Sequence, residues 1–194
     1  MLEVSRETSA RLQEFVRILR IWNTKINLIG RRAEGEWWTR HIEDSLQLAP
    51  LLPADAQPIA DLGSGGGFPG LVLAIVRPQP IHLVEADKRK SAFLREVISA
   101  LGLDHAVVHT CRIEEVSLPP MAAIMARALA PLDTLLQYSS RILGLEGVGV
   151  FPKGRTAEAE LTAAFDRWQM TVERFVSVTD GGATIFRIRD IRPA

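Results

Sequence analysis

Apolar positions recur at helical spacing near the start of the chain. Leu12, Phe15, Val16 and Leu19, with Ile18 beside them, share one face of a helix over residues 5 to 21, and Ser5 or Thr8 supplies its cap. The pattern predicts a second helix from near Arg32 or Ala33 to about Leu48. Trp37, Trp38, His41, Ile42, Leu46 and Leu48 lie on or near its apolar side. Pro50 and Pro53, with Ala54-Asp55-Ala56, then mark a linker. Beyond it the period changes. Short apolar runs at 58–60, 81–85, 106–109, 122–126 and 147–151 read as buried strands. Helical patterns fall between them: 71–76; 88–101, with Phe93, Leu94, Val97, Ile98 and Leu101 on one face and Gly102 as the stop; 131–143; and 156–165. Residues 170–178 and 183–191, around Asp180-Gly181-Gly182, read as a hairpin. Alternating strands and helices predict an α/β fold, a mixed but mostly parallel sheet with helices on both faces. The hairpin adds an antiparallel strand at one edge. Residues 1–55 form a helical N-terminal cap and 56–194 the core of a single domain.

Composition narrows the classes. The 194 residues are 47% apolar, enough for one sizeable core. Cys111 is the only cysteine, so no internal disulfide forms, and it reads as a small core residue rather than a nucleophile or metal ligand. No metal site is expected. No apolar run reaches membrane-spanning length and no signal-peptide pattern opens the chain, so a cytoplasmic location and no membrane partner are expected. The formal net charge of zero argues against coating nucleic acid by bulk charge, but leaves room for a local basic face.

The chemistry concentrates in Asp61-Leu62-Gly63-Ser64-Gly65-Gly66-Gly67-Phe68-Pro69-Gly70, between the first strand and its helix. Five glycines in eight residues exceed what a tight turn needs and let backbone approach a ligand. Glu85 ends the second strand, twenty residues beyond Gly65, where a carboxylate accepts two ribose hydroxyls and repels a 2′-phosphate. Read from Gly63, the loop fails the dinucleotide fingerprint at its sixth position. Read from Gly65, it matches, in a frame further from the strand. Asp61 decides between them, because a carboxylate opening the loop disfavours a pyrophosphate and favours a cationic ligand. S-adenosylmethionine carries an amino group and a sulfonium, and no phosphate. The other strand ends supply Asp87, Arg112 to Glu115, Arg127 and Lys153, which converge on one cleft in such sheets.

The loop resembles motif I of class I methyltransferases, with a Rossmann-like fold. Asn23-Thr24-Lys25-Ile26-Asn27-Leu28, His41-Ile42-Glu43-Asp44-Ser45-Leu46, Ala126-Arg127-Ala128 and Lys153-Gly154 narrow the resemblance. They are similar to segments of the bacterial small-subunit ribosomal RNA guanine-N7 methyltransferase family, also called the glucose-inhibited-division protein B family. Ile29 departs from the Thr common after Asn-Leu. The resemblance implies methyl transfer from S-adenosylmethionine to N7 of a guanine in 16S ribosomal RNA, within an assembling small subunit. It places Gly63 and Phe68 at the cofactor, Ile113 and Glu114 beside its adenine, and Arg127 at the cofactor or the incoming guanine. Asp61, Gly65 and Glu85 complete the expected cofactor set. Guanine N7 carries a lone pair and no proton, so no general base is needed and catalysis is mostly positioning. Arg127 or Lys153 then hydrogen-bonds guanine O6 or a phosphate. The competing use of Arg127 is an ion pair with Glu85, Glu114 or Asp61, and His41 with Asp44 reads as a brace between cap and sheet. Arg17, Arg20, Lys25, Arg31 and Arg32 on the cap, and Lys88, Arg89, Lys90 and Arg95 beyond the second strand, are candidates for a basic face that Lys153, Arg155, Arg187, Arg189 and Arg192 extend; Trp37 or Trp38 is a candidate for stacking on a base. A monomer is expected. An NAD-dependent oxidoreductase and a non-catalytic RNA-binding module are the rival readings.

Overall fold

A computed structural model describes residues 4–30, 37–54 and 57–194. The expected start of the second helix near Arg32 or Ala33, the basic candidates Arg31 and Arg32, and Asp55 and Ala56 of the expected linker lie outside them.

Helix α1 (Arg6–Asn23) starts where expected. The Ser5 side chain accepts a hydrogen bond from the Thr8 N–H. Its buried face is Leu12, Phe15, Ile18 and Leu19, and burying four such side chains stabilises the fold by roughly 1.5–3 kcal/mol each. The second cap segment is not one regular helix. Trp38–Glu43 winds as a π-helical turn and runs into the short α2 (Asp44–Leu46). A 3₁₀ turn, Ala49–Leu51, follows at the expected linker.

The core alternates β1 (Ile59–Leu62), α3 (Gly70–Val76), β2 (Ile81–Val84), α4 (Lys88–Leu101), β3 (Ala106–His109), β4 (Met121–Met125), α5 (Leu132–Ile142), β5 (Leu143–Lys153), α6 (Ala157–Ala164), β6 (Trp168–Val176) and β7 (Thr184–Pro193). Gly102 ends α4 with φ of +58°, as its position predicts. The strands form one sheet in the order β3-β2-β1-β4-β5-β7-β6, with β1 to β5 parallel. The mixed α/β sheet expected from the sequence is therefore present, with one correction. The hairpin does not simply add an edge strand. β7 inserts between β5 and β6, antiparallel to both, and β6 takes the edge.

Alternate strand residues feed two cores. Ile59, Ile81, Leu83, Met125 and Val150 pack under α3, α4 and the cap. Ala60, Leu62, Val84, Ile124 and Phe151 pack under α5 and α6. The cap shares the first core: the Phe15 ring sits 5.2 Å from Phe68, in the glycine loop, and 6.4 Å from Phe93. The same helix that stabilises the cap therefore shapes one wall of the loop.

Candidate functional site

The glycine loop leaves β1 at the carboxyl edge of the sheet. The Gly63 and Ser64 N–H groups both donate to the Val84 carbonyl, at 2.8 and 3.1 Å, which locks the loop to the end of β2. Gly63 has φ of +70°, and a Cβ there would lie 2.6 Å from Leu129 Cδ1. Leu129 belongs to the segment after β4, where the preceding Ala128 has a φ of 52°. Asn23 shapes the loop from the cap side. Its Oδ1 accepts the N–H groups of Leu28 and Ile29, at 2.9 and 3.1 Å. Leu28 O and Ile29 Cγ2 then lie 3.2 and 3.3 Å from where a Cβ on Gly66 would be. The asparagine segment thus positions backbone against the loop.

Two carboxylates organise the loop from different sides. Asp61 lies beneath it, 1% exposed. Its Oδ2 accepts the Gly70 N–H at 3.0 Å, at the start of α3, while Oδ1 is buried without a partner. Burial raises the Asp61 carboxyl from 3.8 to about 6, against the nearby Ser64 hydroxyl, which donates to the Asp61 main-chain carbonyl, and the Gly70 N–H, both of which pull it down. Glu85 joins the loop to the next turn. Oε2 accepts the Gly65 N–H at 2.9 Å and Oε1 the Asp87 N–H at 2.8 Å. Asp87 in turn caps α4 by accepting from the Arg89 and Lys90 N–H groups.

Arg127, at the end of β4, is held from four directions. Nη1 donates to Asp44 Oδ2 and to the Arg40 carbonyl, both at 3.0 Å, and Nη2 bonds His41 Nδ1 at 2.9 Å. Its guanidinium carbon lies 5.2 Å from the centre of the Phe68 ring, and His41 stacks on the same ring at 4.8 Å. The ion-pair partner of Arg127 is therefore Asp44, in place of the acids on the strand ends. His41 and Asp44 both grip Arg127, and in doing so they tie the cap to the end of β4, the brace between cap and sheet expected from the sequence. A guanidinium only donates, so His41 Nδ1 must accept. The neutral ring then carries its hydrogen on Nε2, which is buried without a partner. Burial, and next the Arg127 charge, lower the His41 imidazolium from 6.5 to about 4. Asp44 is anchored further by Thr179 Oγ1 at 2.7 Å and Gln47 Nε2 at 2.8 Å.

The remaining expected residues sit apart from these contacts. The Lys153 ammonium pairs with Glu160 at 2.6 Å and donates to the Ala130 carbonyl at 2.9 Å, so it pins the segment that carries Leu129. Ile113 is partly buried against the second core. The Glu114 carboxylate accepts from the Tyr138 hydroxyl at 2.6 Å, which holds it below the usual range. Arg40, His41, Asp44, Arg127, Lys153 and Arg155 line one cleft of about 700 Å³. Sequence reasoning passed over Asp44 and His41 as functional and missed Leu129 and Thr179. The His41 to Leu46 segment was the available signal for the first two.

The loop and its carboxylates suit a nucleoside-like, positively charged ligand. Gly63 and Gly65 present bare backbone, Glu85 sits at the second strand end, and the buried Asp61 oxygen lacks a proton donor. Among the described residues no cluster of three or more His, Cys, Asp or Glu side chains is placed to hold a metal ion.

Comparison with known proteins agrees with this geometry. In solved structures the fold matches an O-methyltransferase from Bacillus cereus in complex with SAH. The TM-score is 0.62 at 14% identity, covering 98% of this chain and 94% of that one. It also matches a SAM dependent methyltransferase from Aquifex aeolicus, with a TM-score of 0.62 at 13% identity, covering 79% and 93%. The fold is that of the class I S-adenosylmethionine methyltransferases. Curated relatives in Rhodospirillum centenum and Acidiphilium cryptum, each named ribosomal RNA small subunit methyltransferase G, are 50% and 52% identical. Both cover 98% of this chain, and 88% and 89% of their own lengths. The family model described as rRNA small subunit methyltransferase G matches residues 8–187. The glycine loop, the Glu85 bridge and the Arg127 network all lie within that span, and the chain belongs to the rRNA small subunit methyltransferase G family.

Proposed function

We propose that the chain transfers a methyl group from S-adenosylmethionine to N7 of one guanine in 16S ribosomal RNA. The observation that carries the reading is the Glu85 bridge. A strand-end carboxylate hydrogen-bonded to the Gly65 N–H sets a diol acceptor directly beside bare glycine backbone. Family membership supplies the acceptor class.

When bound, S-adenosylmethionine supplies an electrophilic methyl group. The residues of this chain do the rest by positioning. Glu85 receives the ribose hydroxyls. Gly63, Gly65 and Phe68 face the cofactor across the loop. Asp61 stabilises its positive end from beneath and holds the start of α3. Ile113 packs beside the adenine, and Glu114 reads its amino edge. Arg127 orients the guanine. Among the described residues, three of its five N–H donors are engaged, so Nε–H and one Nη2–H stay available to O6 or a phosphate. No base is required, because N7 has a lone pair and no proton. Lys153 acts by holding the segment at Ala130 that closes on the loop. The 1–55 cap and the 56–194 core work as one domain, a monomer acting in the cytoplasm on an assembling small subunit. Among the described residues no helix is long and apolar enough to cross a membrane.

The test incubates the protein with tritiated S-adenosylmethionine and unmethylated small subunits, then analyses the RNA nucleosides by mass spectrometry. One equivalent of N7-methylguanosine is expected. No incorporation, with an active control enzyme on the same subunits, overturns the reading.

A further inference from the structure

The two adjacent tryptophans of the cap have different fates. Trp37 is buried, with the Arg20 guanidinium 5.6 Å from its ring centre. Trp38 is 36% exposed and Ile21, on α1, is 47% exposed. With Val16 they form the floor of a groove of about 420 Å³, edged by Gln13, Arg17 and Arg20. No carboxylate among the described residues lines it; Glu14 holds Arg17 from outside at 2.7 Å. A part-exposed indole in a groove edged by two arginines suits a flat, negatively linked ligand.

We propose that this groove stacks an unpaired base of the RNA strand beside the target guanine, with Arg20 and Arg17 facing its phosphates. Three observations carry this. Trp38 opens the π-helical turn Trp38–Glu43, and Arg40 and His41 of that turn line the cleft at Arg127. Two residues span at most about 7 Å, so groove and cleft share one short run of backbone. Arg20 is held in place by Trp37, so its charge at the rim is already ordered. The groove floor is aromatic and apolar while its rim is cationic. That combination is the one used to bind single-stranded nucleic acid through base faces and backbone, whereas a protein contact would want an acidic partner for Arg20, since Arg17 already has one in Glu14. The inference rests on the methyltransferase reading and adds to it: a nucleotide next to the guanine is splayed and held by the cap.

The experiment compares Trp38→Phe, which keeps an aromatic face, with Trp38→Leu, which keeps only apolar bulk, in the full chain. Steady-state methylation of unmethylated small subunits gives KM and kcat, and calorimetry gives cofactor affinity. Trp38→Leu is expected to raise the KM for subunits about tenfold, and Trp38→Phe by less than about threefold, both with unchanged cofactor affinity. Equal KM values for Trp38→Leu and the parent overturn the proposal. If either variant unfolds at a lower temperature than the parent, ultraviolet crosslinking of the unaltered protein to subunits decides. A peptide containing Trp38 joined to a nucleotide adjoining the methylated guanine supports the proposal. Its attachment to a ribosomal protein, or no crosslink, overturns it. Failure of the parent to methylate RNA is failure of the function itself. A methylating parent indifferent to Trp38→Leu refutes only this inference.

Discussion

Replacing Asp44 by Asn tests whether Arg127 is held in place by the cap. Both side chains are mostly buried, at 18% exposure for Arg127 and 17% for Asp44, with the ion pair at 3.0 Å. Asn keeps the volume but has one acceptor oxygen. If that oxygen stays with Thr179 and Gln47, the amide NH₂ faces the guanidinium, donor against donor. If it turns to Arg127, the Thr179 and Gln47 bonds are lost. Losing a charge-assisted hydrogen bond costs about 1.5–3 kcal/mol, and leaving a buried charge without its partner costs about 3–5 kcal/mol. Arg127 keeps the Arg40 carbonyl, His41 Nδ1 and the face of Phe68. The expected loss is therefore near the low end, about 2–3 kcal/mol. For a chain of this size that lowers the unfolding midpoint by about 5–10 °C in calorimetry. The kcat/KM for subunits should fall at least about tenfold, with cofactor affinity within about threefold of the parent. A double-mutant cycle with Arg127→Gln should return a coupling of at least about 1.5 kcal/mol. A midpoint lowered by less than about 2 °C, with additive single effects, refutes the idea that Asp44 positions Arg127.

Glu85→Gln places an amide NH₂ against either the Gly65 or the Asp87 N–H, and calorimetry should show cofactor affinity at least about tenfold weaker with the fold intact; unchanged affinity removes Glu85 from the site. Gly63→Val strains a φ of +70° and drives a methyl into Leu129, so binding should be lost, and Gly63→Ala with Leu129→Ala should recover part of it; no recovery means backbone strain, not Leu129, is the obstacle. The Asp61 carboxyl is raised in the folded state, so its contribution to stability is full below 3.8 and is lost as pH rises through about 6, a change of about 3 kcal/mol. His41 works in the opposite direction: its lowered imidazolium makes the fold lose stability as pH falls from 6.5 toward about 4. Urea unfolding of Asp61→Asn between pH 4 and 7 should therefore show a steeper loss on acidification than the parent; parallel profiles would show that Asp61 does not titrate in that window.

The fold was legible where one face of an element dominates its burial. α1 shows this: Leu12, Phe15, Ile18 and Leu19 are buried at helical spacing. The parallel strands and the glycine loop were legible for the same reason, since short apolar runs end at chemistry-bearing residues. The second cap helix was not, because a π-helical turn interrupts its period; adjacent residues of a helix face different sides, and Trp37 goes in while Trp38 stays outside. β5 begins at Leu143 and not at Gly147, because a register shift lets Leu143 pair with Met121 before Val148 meets Ala123. A hairpin signal states that two strands pair, but not which of them meets β5. The Asp44–Arg127 pair joins residues 83 apart. No local pattern encodes that distance, and only the packing of the cap on the sheet selects Asp44 over the nearer acids.

The insertion of β7 into the sheet fixes when the enzyme can exist. Residues 184–193 form an interior strand between two that precede them, and the turn before them supplies Thr179 to Asp44 and the Val178 N–H to Gln47. A nascent chain lacking these residues has an open gap beside β5 and an arginine without its full support. A chain stalled or clipped before residue 184 is therefore expected to leave β5 unpaired on that side, and to lack methyl transfer for that reason.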